Sequence, residues 1–138
     1  MTINVFTNRS KTPDLFSDLR KDLVLSPLSE DLAVLKNENA VKESIKNLIL
    51  TDRGERLMQP FLGGGIRELL FENLIPRTVK SIENRVRDTI ELHEPRCELI
   101  DVSVSANLDE NSVRVIIQFY VSNVDQPTSL DIILERIR

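Results

Sequence analysis

The residues best equipped for chemistry lie between positions 93 and 97, where His93 and Cys97 flank the tripeptide Glu94-Pro95-Arg96. An imidazole beside a thiol could form a nucleophile pair with the histidine as base. Their four-residue spacing would join them on a helix, but Pro95 breaks any helix between them. Such a pair also needs an orienting group and an oxyanion hole, and neither is recognisable. The expected roles are a helix-end histidine and a strand cysteine. One His and one Cys are too little material for a transition-metal site. Among 22 acidic residues, a carboxylate pair for glycoside hydrolysis would need one acid in an apolar pocket with a raised pKa; the acids here occupy polar-face positions. There is no Ser-His-Asp order and no Asp-rich metal loop. Gly63-Gly64-Gly65 precedes a helical segment and could cradle phosphate through backbone N–H groups. No Gly-Lys-Ser/Thr follows, however, and no G-x-G-x-x-G fits after a strand. Tight packing at a turn is the expected role of these glycines. The residues therefore predict no catalytic site, no cofactor and no metal.

What remains is the tripeptide itself. Proline pushes the residue before it out of the helical region. With Glu94, Pro95 and Arg96 extended, the carboxylate and the guanidinium point to the same side. Two outcomes are open for such a corner: an intramolecular ion pair bridging a helix and a sheet, or a charged contact for another protein. Glu55-Arg56 reads as a solvated charge pair of small worth.

These positions are carried by a short series of elements. Residues 1–38 read as a polar N-terminal arm and an irregular segment. A short helix can follow Pro13, Ser26-Pro27 breaks regularity, and Asp31 to Leu35 suits a strand or a turn. Asn39 is a good N-cap for a helix whose Val41, Ile45, Leu48 and Ile49 share one face. Gly54 can end it. Ile66 to Phe71 makes a short apolar turn of helix. Pro76 suits the first turn of a longer helix that runs to His93, with Ile75, Val79, Ile82, Val86 and Ile90 as its apolar stripe. Two alternating runs follow, Ile100–Leu108 and Val113–Val121, joined by Leu108-Asp109-Glu110-Asn111; they predict an antiparallel hairpin. Thr128 to Arg138 fits a helix through Leu130, Ile133, Leu134 and Ile137, or a strand through Leu130, Ile132 and Leu134. A hairpin needing company favours a third strand, whose free edge could pair with another chain. The net charge of −4 offers no basic face for nucleic acid. No apolar run is long enough to span a bilayer, the first residues lack the apolar block of a signal peptide, and a single cysteine fits a reducing compartment. The fold class expected is a small α+β domain, two main helices on a three-stranded, mostly antiparallel sheet, spanning 39–138.

The order and spacing of several short motifs resemble one family. They are Ala40-Val41-Lys42-Glu43-Ser44-Ile45-Lys46-Asn47-Leu48-Ile49-Leu50, Gly54-Glu55-Arg56, Pro60 with Gly63 and Gly65, Leu69-Leu70-Phe71-Glu72, and Glu94-Pro95-Arg96. Together they resemble the baseplate wedge proteins, or sheath initiators, of contractile phage tails, found also in type VI secretion baseplates. One departure is Leu62, where the family has an aromatic residue before the first glycine of the loop. The resemblance implies a domain similar to the inner domain of the tail sheath protein and a structural role in the virion, in a tail baseplate assembled in the bacterial host cytoplasm. The implied partners are the wedge's core helical bundle and the tail sheath protein, with the tail tube or hub as further candidates. It also implies that Glu94, Pro95 and Arg96 touch the bundle. Leu130, Ile132 and Leu134 are expected to anchor the segment that joins the sheath. The rival readings are a lysozyme-like cell-wall hydrolase and an adaptor of a type VI secretion baseplate.

Overall fold

The computed structural model of the chain describes residues 14–27, 30–122 and 124–135. The elements in order are β1 (Ser17–Leu19), β2 (Val34–Lys36), α1 (Glu38–Leu50), α2 (Ile66–Leu70), α3 (Pro76–His93), β3 (Cys97–Asn107), β4 (Ser112–Val121) and β5 (Pro127–Glu135). Strands β3, β4 and β5 form one antiparallel sheet in that order, and β1 pairs with β2 in a small second sheet. The chain is thus the α+β domain that its periodicities predict.

The alternation in β4 places Val113, Val115, Ile117, Phe119 and Val121 in the core, where they meet α1, α2 and α3. The stripe of α3 supplies Ile82, Val86 and Ile90 from the other side, and α1 supplies Val41, Ile45 and Ile49. The segment that fitted either helix or strand is strand β5. Tertiary pairing decides it, because Thr128, Leu130, Ile132 and Leu134 lie opposite Phe119, Ile117, Val115 and Val113 on the covered face. Ile133, which a helix would have turned inward, is exposed; Ile137 lies outside the described residues.

Three local expectations are corrected. The first is the inward run of β3, which does not begin at Ile100. A bulge sits between Leu99 and Asp101 and leaves Ile100 41% exposed. Cys97 and Leu99 face inward before it; Val102, Val104 and Ala106 do so after it. The extra residue of a bulge reverses the parity of the strand. The second concerns the start of α1, which Asn37 flanks in place of Asn39. Asn37 has a positive φ of 47°, and its Oδ1 accepts the backbone N–H groups of Leu15 (2.9 Å) and Phe16 (3.3 Å). These bonds hold the preceding segment extended, where a short helix was expected; Pro13, its proposed first residue, and the arm before it lie outside the described residues. The third is Gly54. It has φ +81° but belongs to the turn beyond the helix, whose last residue is Leu50.

The glycine loop packs as its composition predicts. Gly63 has φ +106°, and a Cβ there would come within 2.3 Å of the Thr51 carbonyl oxygen, whereas a Cβ at Gly54 would meet nothing within 4 Å. Gly63→Ala combines backbone strain with a collision against main chain and should cost about 2–3 kcal/mol. Gly54→Ala carries only the conformational cost, about 1 kcal/mol. Urea unfolding of the two variants should show that order; equal losses would mean that the Thr51 contact yields freely.

Candidate partner-binding site

The site is built where α3 ends. The Glu94 N–H still bonds the Ile90 carbonyl at 2.9 Å, Pro95 stops the helix, and β3 begins at Cys97. Glu94 turns inward and its side chain is 2% exposed. Arg96 folds over it in a bidentate pair, with Nε donating to Oε1 at 2.6 Å and Nη2 to Oε2 at 2.8 Å. Ser44 of α1 adds a hydrogen bond to the same carboxylate. Burial pushes the Glu94 carboxyl up, but the hydrogen bonds from Arg96 and Ser44 and the charge of Arg96 outweigh it and hold the group below its ordinary 4.5. The hydrogen bond to Glu94 likewise raises Arg96. The Arg96 guanidinium lies 5.7 Å from the ring centre of Phe16, within range of a cation–π contact. It remains 30% exposed and keeps donors that Glu94 does not use.

Around this pair lies an open recess of about 360 Å³, with Asp18, Ser44, Asn47, Arg56, Gln59 and His93 on its walls. The tripeptide therefore forms the internal ion pair that its geometry allows, at the edge of a surface that another protein can reach. Phe16, Ser44 and Arg56 join the site without having been singled out for it in the sequence. For Ser44 a signal existed: it lies between the apolar face and the charged face of an amphipathic helix. Leu130, Ile132 and Leu134 are elsewhere, on the covered face of β5 and engaged in this domain's own core. What β5 offers beyond them is its outer backbone edge, since β5 pairs only with β4 among the described residues.

The same geometry bears on chemistry. Burial and the neighbouring Glu94 charge push the Cys97 thiol up to about 11, away from the thiolate that a nucleophile requires. Glu94 is the buried carboxylate among the described residues, and its shift is opposite to that of a general acid. No cluster of His, Cys, Asp or Glu suited to a metal occurs among the described residues.

Residues 36–126 match the family described as baseplate wedge protein gp25. The chain belongs to that family. The matched stretch contains Glu94-Pro95-Arg96 and stops just before β5. The baseplate wedge protein gp25 of Enterobacteria phage T4 is 27% identical over 117 residues, covering 85% of this chain and 86% of the relative. A chain in the baseplate of the anti-feeding prophage is 31% identical, with a TM-score of 0.68, covering 80% of this chain and 88% of that one. A protein of Geobacter sulfurreducens described as a candidate tail lysozyme is also 31% identical, with a TM-score of 0.65, covering 71% and 89%. The chain is thus a wedge-family component of contractile-tail baseplates, associated with the virion and with other baseplate proteins.

Glu94 is too deeply buried for Arg96→Ala to be a clean test of partner binding. That substitution strands a buried carboxylate and should cost about 3 kcal/mol, so loss of partner binding could reflect unfolding. Glu94→Gln with Arg96→Gln removes both charges and should leave the melting temperature much nearer the parent's. The pair also sets a pH dependence. Because the folded pKa of Glu94 lies below its ordinary value, its contribution is complete above about 4.5 and is lost as pH falls through the folded value. The parent should therefore lose stability in acid more steeply than Glu94→Gln. Parallel slopes for the two proteins would show that the pair contributes nothing to folding.

Proposed function

We propose that the chain is a non-enzymatic part of the baseplate wedge that docks on the wedge's core helical bundle and gives the first tail sheath subunits a place to join. The observation that carries the docking reading is the Glu94–Arg96 corner. Its geometry is fixed by a bidentate pair and by Pro95, while Arg96 retains exposed donors beside an open recess. Charge-assisted hydrogen bonds from Arg96 to the carbonyls or carboxylates of a partner helix suit such a site. The partner adds bonds to a charge that is already compensated, so association need not strip an isolated ion of water.

The sheath step rests on a second feature, the unpaired edge of β5. A strand of a sheath subunit can add there through backbone hydrogen bonds, largely regardless of side-chain identity. Leu130, Ile132 and Leu134 serve this reading by holding β5 in place from below. Assembly in the host cytoplasm, where Cys97 stays reduced, completes the reading. A hydrolase reading is favoured by one relative's description as a candidate tail lysozyme, but Glu94 offers it no raised acid.

Deleting β5 would remove Ile132 and Leu134 from the core, so a finer test is needed. Proline placed singly at positions 129 to 134 should divide by parity. Positions whose N–H points to β4 should unfold the domain, and the alternate positions should keep its melting temperature. The latter variants should enter baseplates that carry no sheath. Normally sheathed tails from them would sink the edge reading. The Glu94→Gln, Arg96→Gln variant should fold and fail to bind wedges. Turnover of purified peptidoglycan by the folded protein, abolished by replacing one acid, would overturn the non-enzymatic assignment.

A further inference from the structure

The connection between α1 and α2 holds the most fully exposed large apolar side chains among the described residues. Leu57 is 97% exposed, Met58 95% and Phe61 83%, and none of them packs on the core. The loop that carries them is not slack. The Gly54 N–H bonds the Pro60 carbonyl at 2.8 Å across its base, the Gln59 N–H bonds Arg56 and the Leu62 N–H bonds Gln59. The Glu55 carboxylate takes the Asp52 N–H at 2.9 Å, and Gly63 locks the loop's exit against Thr51. Single exposed apolar residues are ordinary, but three on one closed loop form the kind of patch that marks an interaction site.

Two further observations say what covers it. Both acids of the loop are engaged, Asp52 with Arg67 at 3.3 Å and Glu55 with backbone. Arg53 and Arg56 are paired with no acid among the described residues. With Asp52 paired to Arg67, the charges left on the loop are Arg53, Arg56 and Glu55, a net positive charge beside the apolar tip on a chain whose net charge is −4. The loop also continues into the recess of the tripeptide, with Arg56, Gln59 and Leu62 on the same walls as His93 to Arg96.

We propose that residues 53–61 are a docking knob whose Leu57, Met58 and Phe61 enter an apolar groove between two helices of a protein partner, with Arg53 and Arg56 meeting carboxylates on the groove's rim. The proposal deepens the wedge-docking reading and rests on it, because the groove belongs to the same partner that takes the Glu94–Arg96 corner. A protruding apolar tip needs a concave seat, and the helical bundle of the docking reading would offer one where neighbouring helices diverge. Apolar anchors in a desolvated seat, ringed by polar contacts, carry most of the energy of an interface. A loop already closed loses little freedom on binding. A lipid surface fits less well, since two arginines fall short of the roughly 4–8 basic residues with which anionic membranes are bound.

The test places benzoylphenylalanine at position 61, 93 or 103 of the full chain and irradiates baseplates assembled in the native host. Positions 61 and 93 should label helical segments of one and the same partner, and position 103, on the outer sheet face, should not label it. Leu57→Ser, Met58→Ser and Phe61→Ser combined should melt like the parent and bind that purified partner on the order of a hundredfold more weakly. Arg53→Glu with Arg56→Glu should weaken binding more at low salt than at high salt. Labelling from position 93 with none from 61, or with a different protein labelled from 61, overturns the knob and leaves the corner intact. Labelling from neither overturns both. Sedimentation with phosphatidylglycerol vesicles, abolished by the triple change, would assign the tip to lipid and also overturn the proposal.

Discussion

A carboxylate buried at the junction of a helix and a strand must be neutralised, and this requirement organises the molecule around Glu94. The compensating charge comes from two residues away, because Pro95 keeps the backbone extended and sends both side chains to one side. Ser44 then draws α1 to the pair, and Phe16 brings the segment before β1 against the guanidinium. Stretches far apart in sequence therefore converge on one salt bridge. Buried ion pairs are weak sources of net stability, but removing one partner is costly because it leaves a buried charge unpaired.

This arrangement also dissolves an apparent choice. An internal ion pair and a partner contact are alternatives only if a guanidinium can serve one acceptor group at a time. Arg96 spends Nε and Nη2 on Glu94, has further donors that Glu94 does not use, and stays 30% exposed. The same pair that closes the fold can thus present a rigid, oriented cation to a neighbour.

Much of this was legible in the residues. The run from Pro76 to His93 keeps one apolar period from start to stop, so its helix has the bounds the sequence predicts. In β4 the inward positions Val113, Val115, Ile117, Phe119 and Val121 keep one period, although Ile116 and Tyr120 on the other face are not polar. The bulge in β3 was harder, because a strand's register depends on a partner that its own pattern does not name. A trace existed, in that Leu99 and Ile100 are adjacent apolar residues where alternation allows only one. Asn37 and Asn39 are equally good caps by composition; what separates them is the bonding of Asn37 to Leu15 and Phe16, a contact more than twenty residues back. At the site, Glu94-Pro95-Arg96 was readable because its conformation is set locally by proline. The burial of Glu94 was not, since it depends on α1 lying overhead, and neither was the exposure of Leu57, Met58 and Phe61, which residue type alone argues against.

The three-stranded sheet has two rims, and they are unequal. The rim at β5 is regular along its whole pairing with β4. The rim at β3 is bent by the bulge at Ile100 and bordered by Glu98 and Asp101, the devices by which strands resist unwanted pairing. A sheet open on one side and blunted on the other has a direction. Under the proposed strand addition, the bulge at Ile100 disfavours pairing along β3 and so favours growth from β5; one extra residue on the far strand would then give that growth its direction.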